Sequence, residues 1–182
     1  MFSDRRNAWV FGQLALCGRK ATQGCPCGYY GDLKRACTCT LTQINQYRAR
    51  LSGPLLDRID IHIQVPAVPF RDLAAELSGE GSQGMRASVG QAREVQGRRF
   101  VRTRAHANAQ MTSRQVQAHC ALGPEARRLL EAAMERLGLS ARAYNRILKI
   151  SRTIADLAGD QAITPAHVAE AIQYRSLDRK FG

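Results

Sequence analysis

Four cysteines that lie close together in the sequence are the residues best suited to bind a metal ion. They follow the pattern C-x-C-x9-C-x-C, and they are Cys25, Cys27, Cys37 and Cys39. Four thiolates at this spacing suit tetrahedral Zn²⁺, and a site with four protein ligands has no open position for catalysis, so we predict a structural zinc. Reduced structural cysteines and disulfides are the alternatives. The other two cysteines, Cys17 and Cys120, are predicted to be small buried hydrophobic residues.

An arginine at the start of a predicted strand could act on a phosphate group. Arg58 follows Asp57, and the residues from Ile59 to Val65 then alternate between β-branched and polar side chains, until Pro66 ends the pattern. A period of two predicts a strand with one buried face. An arginine held at the entrance of a strand can reach a phosphate on a neighbouring subunit and neutralise transition-state charge. The alternative is an ordinary surface ion pair between Asp57 and Arg58.

The chain is strongly basic, and one segment carries much of the excess charge. Its 182 residues include 27 Lys and Arg against 15 Asp and Glu, a net charge of +12, which favours an anionic partner such as nucleic acid or a nucleotide. Between Met85 and Arg104 we predict a polar helix with six arginines and one glutamate. Its candidate DNA contacts are Arg93, Arg98, Arg99, Arg102 and Arg104. The alternative is a charged face that contacts only solvent.

The second half of the chain is predicted to be a helical bundle. Helix boundaries are marked by Pro124 and Gly138, by Ser140 and Ala158, and by Thr164 before the last helix. The long helix that follows Ser140 has a predicted buried face, which consists of Ala143, Ile147, Ile150, Ile154 and Leu157. A separate basic stripe on this helix, at spacing i, i+4, i+7, contains Arg142, Arg146 and Lys149. The predicted fold class is therefore mostly α, with the remnant of an α/β core (one or two strands plus helices) before the bundle. The loop 78–84 divides the chain into predicted domains 1–84 and 85–182.

The sequence contains no complete nucleotide-binding site. The phosphate-loop pattern G-x-x-x-x-G-K-[ST] does not occur, and no hydrophobic strand ends in paired acids of the kind that hold Mg²⁺. The four histidines are scattered, and we assign no chemistry to them. No apolar run approaches about 18 residues and the first residues make a poor signal peptide, so we expect a cytoplasmic protein with no membrane partner.

Several longer motifs contain these candidate residues. They are Cys25-Pro26-Cys27-Gly28-Tyr29-Tyr30-Gly31-Asp32, Cys37-Thr38-Cys39, Ser52-Gly53-Pro54-Leu55-Leu56-Asp57-Arg58-Ile59-Asp60, Leu139-Ser140-Ala141-Arg142-Ala143-Tyr144-Asn145-Arg146-Ile147-Leu148 and Arg152-Thr153-Ile154-Ala155-Asp156-Leu157. Together they closely resemble the C-terminal third of the bacterial magnesium-chelatase-like AAA+ ATPases, the ComM or YifB group. The resemblance runs from about residue 24 to Arg179 and implies the end of an AAA+ ATPase core followed by a helical lid.

The resemblance implies a role for each matching residue. Arg58 matches the arginine finger, which acts on ATP bound by the neighbouring subunit of a hexameric ring. Arg142 matches the lid arginine called sensor 2, which contacts the γ-phosphate, and Arg146 is the second choice for that role. The four cysteines match the cysteine-rich knuckle of the family. ATP and Mg²⁺ are the implied cofactors, and DNA is the implied partner, because the family activity is helicase-like branch migration in natural transformation and recombination.

The first part of the chain departs from the family pattern. An apolar strand ending in Asn-Pro is expected before the first cysteine, whereas Gln23 and Gly24 stand there, and residues 1–23 do not resemble the family. The phosphate loop and the acids that hold Mg²⁺ lie upstream in the family. We therefore expect a truncated or misassembled reading frame, or a deliberately cut domain, without independent ATPase activity.

Two other functions are consistent with the same residues. One is a non-catalytic, zinc-containing module that binds nucleic acid through the cysteine cluster and the basic helices. The other is a magnesium-chelatase motor subunit, an ATPase that drives metal insertion into a porphyrin. The four-cysteine cluster and the strong positive charge favour a DNA partner over the chelatase.

Overall fold

The computed structural model describes residues 25–30, 35–49, 59–61, 63 and 81–175. The described residues up to 63 belong to one compact unit, and residues 81–175 belong to another. The first unit contains helix α1 (Leu41–Ala49). The helical unit contains α2 (Ser82–Arg99), a 3₁₀ turn (Asn108–Gln110), α3 (Ser113–His119), α4 (Pro124–Leu137), α5 (Ala141–Ala158) and α6 (Pro165–Gln173). The prediction of a mostly α fold is therefore confirmed.

The predicted strand from Ile59 to Val65 lies mostly outside the described residues. Of this segment the structure describes residues 59–61 and 63, which are not part of a strand, and Asp60 lies at a bend. Within the described part of the chain, the β-type pairing is an isolated parallel bridge between Leu122 and Ile163.

Helix α1 begins at a capping box. The Thr40 side chain accepts a hydrogen bond from the backbone N–H of Gln43 (3.2 Å), and the Gln43 side chain accepts one from the backbone N–H of Thr40 (2.9 Å). The reciprocal pair satisfies two N–H groups at the helix start. Thr42 is a second residue of this segment that could cap a helix, and the structure uses Thr40.

Helix α2 differs from its predicted limits of Met85 and Arg104. It begins at Ser82, inside the predicted loop, and ends at Arg99. The reason for the early end is Phe100, whose side chain is buried, and the chain turns there with a hydrogen bond from the Thr103 N–H to the Phe100 carbonyl (2.8 Å). Burial of the aromatic ring favours the turn over another turn of helix.

Helix α5 is the centre of the helical unit. It contacts α2, α3, α6 and the 3₁₀ turn, and α6 also packs on α4. Small and branched apolar residues fill the core; from the last three helices they are Ala126, Leu130, Ala133, Ala143, Ile147, Leu148, Ile150, Ala155, Val168 and Ala171. Close packing of such side chains provides most of the stability of a bundle.

The ends of these helices agree with the predicted caps. The Ser140 side chain accepts a hydrogen bond from the Ala143 N–H, and Thr164 forms a capping box with His167. Gly138 closes α4 with a φ of 58°, in the left-handed region that glycine adopts without strain. One assignment was wrong: Leu157 was predicted to be buried, but it is 45% exposed. Its neighbour Asp156 is buried instead.

Candidate functional site

The four predicted metal ligands lie together in the structure. The sulfur of Cys25 is 3.3 Å from that of Cys27 and 3.6 Å from that of Cys37, and the sulfurs of Cys27 and Cys37 are also 3.6 Å apart. With Cys39 included, all four sulfurs lie within 4.8 Å of one another. None of these cysteines forms a disulfide. The geometry is that of a four-thiol site able to hold one metal ion.

A tight turn brings the first two cysteines into position. The backbone N–H of Gly28 donates a hydrogen bond to the Cys25 carbonyl (3.2 Å), and Gly28 has a left-handed φ of 86°. A non-glycine residue would be strained at this φ. Nearby, the Arg35 guanidinium donates to the Tyr29 hydroxyl (2.7 Å) and lies 5.2 Å from the centre of the same ring. These contacts connect the two halves of the cysteine loop.

The thiols of the cluster differ in acidity. The backbone hydrogen bond from Tyr29 is the largest effect on Cys27 and lowers the pKa of its thiol to about 5. A backbone hydrogen bond from Cys39 acts in the same direction on Cys37, but burial and the neighbouring thiols outweigh it and raise the pKa of Cys37 to about 12. The metal-free cluster therefore retains protons at neutral pH, and metal binding must release them.

The two candidate sensor arginines lie on the first two turns of α5. Arg142 is the second residue of this helix and is exposed, whereas Arg146 lies one turn further on and is half-buried. The third member of the predicted stripe, Lys149, donates to the Ala109 carbonyl in the 3₁₀ turn (2.9 Å). Arg58, the candidate arginine finger, lies outside the described residues, so its role remains a prediction.

Most of the candidate DNA contacts are accessible. Arg98, Arg102 and Arg104 are exposed at the end of α2 and in the loop that follows it. Arg93 is half-buried, and its guanidinium donates to the His106 carbonyl (3.3 Å).

Arg99 differs from the other candidates, and its assignment to the DNA-contacting set needs correction. Its side chain is 13% exposed, and its guanidinium binds both carboxylate oxygens of Asp156 at 2.6 Å. It also donates to the side-chain oxygen of Asn108 (2.7 Å). A guanidinium in a bidentate pair with a buried carboxylate is not available to a phosphate.

Asp156 is the centre of a buried polar network in the helical unit. Besides Arg99, it accepts a hydrogen bond from Asn108 (2.7 Å) and one from Nε of Arg152 (3.0 Å). The rest of the Arg152 guanidinium donates to the backbone carbonyls of Asp160 (2.6 Å) and Gln161 (2.7 Å). The network therefore ties α2, the 3₁₀ turn and the loop before α6 to the C-terminal half of α5.

The sequence pattern of α5 does not indicate this network. On a helical projection, Arg152 and Asp156 lie opposite the apolar face that contains Ala143 and Ile147, so the pattern assigns them to solvent. The packing of α2, α3 and α6 around α5 buries that second face as well. The signal within the helix itself was an arginine and an aspartate four residues apart, which is common on exposed helices.

The charge on Asp156 should make the stability of the helical unit depend on pH. Burial alone would raise the pKa of Asp156, but the hydrogen bonds from Arg99 and Asn108 outweigh burial and lower the pKa below the ordinary value of 3.8. A carboxylate with a depressed pKa stabilises the folded state above its unfolded-state pKa, and this stabilisation is lost as pH falls through the folded-state pKa. The free energy of unfolding, measured with urea and circular dichroism, should therefore fall below about pH 4. An equally steep fall in an Asp156→Asn variant would contradict this assignment.

The sixth cysteine confirms a simpler prediction. Cys120 is 4% exposed, and burial raises the pKa of its thiol to about 11. It is therefore a small hydrophobic residue of the helical unit. Cys17, for which the same was predicted, lies outside the described residues.

Comparison with known proteins identifies the family. A family model described as magnesium chelatase, subunit ChlI C-terminal, matches residues 79–175, which is more than half of the chain. The chain belongs to this family. A second model, described as magnesium chelatase, subunit ChlI, matches residues 15–73. The resemblance to the family is thus confirmed, but it begins earlier than expected: the second match starts at residue 15, so residues 15–23 were wrongly placed outside the family. The two matches cover both the cysteine cluster and the helical unit of this magnesium-chelatase-like chain.

Similar proteins occur in several bacteria. The chain is 45% identical over 138 residues to the competence protein ComM of Haemophilus influenzae. The aligned region covers 75% of this chain and 26% of the relative. It is 40% and 39% identical over 156 residues to the YifB proteins of Salmonella typhimurium and Escherichia coli, covering 85% of this chain and 29% of each relative. The chain therefore spans less than a third of the length of these curated relatives. In the part of this magnesium-chelatase-like chain that the structure describes, no helix has the length and hydropathy to cross a membrane.

Proposed function

We propose that this chain forms the C-terminal part of an AAA+ ATPase that couples ATP hydrolysis to translocation and branch migration on DNA, in recombination and natural transformation. The observation that carries the proposal is the similarity to ComM, a competence protein, over 75% of the chain. In this proposal residues 1–84 are the end of the ATPase core and residues 85–182 are the lid. The active assembly is a cytoplasmic hexameric ring.

Two arginines respond to the γ-phosphate of ATP in this proposal. Arg58 is the arginine finger that reaches ATP on the neighbouring subunit, and Arg142 is sensor 2 within its own subunit, with Arg146 as the alternative. The position of Arg142 supports its role. It is exposed at the start of α5, where the Ser140 cap fixes the helix end, and its planar guanidinium suits bidentate contact with a phosphate.

The rigidity of α5 matters for this role. Its C-terminal half is held by the network around Asp156, and its N-terminal half packs through Ala143 and Ile147 into the core. A phosphate sensor on a rigid helix transmits the loss of the γ-phosphate as movement of the whole lid. ATP and Mg²⁺ are bound by the parts of the ATPase that carry the phosphate loop and the metal-binding acids.

The four cysteines hold a structural Zn²⁺ in this proposal. The distances within the cluster suit a tetrahedral thiolate site, and the four cysteines would fill all four coordination positions of the ion. The ion stabilises the fold of the cysteine loop and takes no part in ATP hydrolysis.

Arginines of α2 and of the loop that follows it contact DNA phosphates in this proposal. The candidate set is now Arg93, Arg98, Arg102 and Arg104, because Arg99 is bound to Asp156. Each phosphate contact should add about one unit to the slope of log affinity against log salt concentration. The positive charge and the cysteine cluster also fit the second candidate function, a non-catalytic nucleic-acid-binding module. The description of the matched family fits the third, a magnesium-chelatase motor subunit.

A fusion protein tests the proposal. Residues 25–182 of this chain replace the matching part of the Haemophilus influenzae ComM relative, and ATP hydrolysis is measured with and without DNA. We expect hydrolysis that DNA stimulates. We expect Arg142→Ala to lower kcat by about 10²-fold, the size of effect found when one donor to a developing charge is removed.

Arg128→Ala is the matched control, because Arg128 is an exposed arginine on α4 with no assigned role. The control should hydrolyse ATP like the unmutated fusion. A rate of ATP hydrolysis that is the same with and without DNA would favour the magnesium-chelatase motor subunit. DNA binding by the chain, together with a fusion that does not hydrolyse ATP, would favour the non-catalytic module.

A further inference from the structure

We infer that the metal ion at Cys25, Cys27, Cys37 and Cys39 takes the place of a hydrophobic core in the described part of the first unit, so that helix α1 is ordered only when Zn²⁺ is bound. This inference rests on the proposed zinc site and is independent of the proposed ATPase activity. Metal removal should therefore loosen the first unit while leaving the helical unit folded.

The sulfur atoms of the cluster already have the spacing that a zinc ion requires. A tetrahedral Zn²⁺ with bonds of about 2.3 Å to sulfur places the sulfurs about 3.8 Å apart. The sulfurs of Cys25, Cys27 and Cys37 are 3.3, 3.6 and 3.6 Å apart, and all four sulfurs, with that of Cys39, lie within 4.8 Å of one another. The ligands are thus already close to the positions that the ion requires, and only small shifts are needed to accept it.

Few apolar side chains are buried in the described part of the first unit. Among the residues of the first unit whose burial the structure describes (25–30, 35–47, 49, 59–61 and 63), only Cys25 and Ile44 are buried. Leu41 is 75% exposed and Ile63 is 65% exposed. Segments that cannot bury enough apolar surface generally need a metal or a disulfide for stability. The fully buried residue of this region is itself a ligand, Cys25, which makes the metal the natural source of that stability.

The cluster is joined directly to the start of α1. Cys39 directly precedes Thr40, the residue that caps the helix through its contacts with Gln43. The helix has nine residues. Helices of this length are marginal in water without tertiary contacts, because the first turn is costly to form. A metal bond to Cys39 fixes the residue before the cap and so lowers the entropy cost of starting the helix.

The experiment uses the full chain purified without chelators. Elemental analysis by mass spectrometry should give about one zinc per chain, and no zinc in the double variant Cys37→Ser/Cys39→Ser. Hydrogen–deuterium exchange is then compared with and without zinc. Peptides from residues 25–49 should exchange at least about tenfold faster after zinc removal, whereas peptides from α5 and α6 should be unchanged. Added Zn²⁺ should restore protection, and added Mg²⁺ should not.

A Cys120→Ala variant is the matched control, because Cys120 is buried in the helical unit, away from the cluster in the sequence. It should keep its zinc and its protection in residues 25–49. Purified protein with no zinc, which also fails to take up added zinc, would overturn the metal site itself. Zinc binding without any change in exchange would overturn the coupling to α1. Neither result would decide the proposed ATPase function, which the fusion protein tests separately.

Discussion

Replacing Asp156 with alanine is expected to lower the free energy of unfolding of the helical unit by about 3–5 kcal/mol. The carboxylate is fully buried and accepts hydrogen bonds from Arg99, Asn108 and Arg152. Without it, two guanidinium groups with side chains only 13% and 5% exposed lose their counter-charge. Desolvated charges that keep no partner are among the most destabilising defects in a protein interior.

Urea unfolding of the full chain, followed by circular dichroism, measures this effect. Glu131→Ala is the control, because Glu131 is an exposed acid on α4 and its loss should change the free energy by no more than about 0.5 kcal/mol. An Asp156→Ala variant that unfolds within about 1 kcal/mol of the wild type would show that Arg99 and Arg152 find other partners, and the described role of the network would be wrong.

A double-mutant cycle measures the interaction between Arg99 and Asp156 separately from the rest of the network. Arg99→Ala alone should be destabilising, but the change from Asp156 to alanine should cost less in the Arg99→Ala background, because part of the penalty comes from leaving Arg99 buried without a counter-charge. This coupling joins α2, which leads to the exposed arginines, to α5, which carries Arg142. Strictly additive free energies would contradict a direct interaction.

Helix ends in the second half of this chain follow from local sequence. The serine or threonine caps, the prolines at first helical positions and the glycine after α4 each act through one or two backbone groups, so the residues that decide them are neighbours in the sequence. The cysteine cluster was also predictable, since its spacing limits how far apart four thiols can lie.

The errors arose where distant parts of the chain decide the outcome. Arg99 and Arg98 are indistinguishable in a basic helix, yet only Arg99 faces Asp156, which lies 57 positions further along the chain. The burial of Asp156 and exposure of Leu157 depend on which helices surround α5. No periodic pattern within α5 encodes those neighbours. Amphipathicity alone therefore places Leu157 in the core and Asp156 in solvent, which is the reverse of what the structure shows.

Replacing Arg58 with alanine is expected to lower the kcat of the fusion ATPase by about 10³-fold or more, the effect typical of a lost arginine finger. In the proposal this guanidinium stabilises the charge that develops on the γ-phosphate, which alanine cannot do. Arg58→Lys keeps a positive charge but not the planar, bidentate geometry, so it should recover only a small part of the activity. The affinity for ATP should change much less than kcat, because the contact strengthens in the transition state.

The most direct test asks whether Arg58 acts on ATP held by another subunit. Two fusion proteins are mixed: one has an inactivated phosphate loop and keeps Arg58, and the other has an intact phosphate loop and carries Arg58→Ala. Each alone should be inactive. We predict that mixing restores ATP hydrolysis, because active sites then form between an intact phosphate loop and an intact Arg58. Mixtures that stay inactive although both proteins assemble, or an Arg58→Ala protein that hydrolyses ATP by itself, would contradict the proposed function.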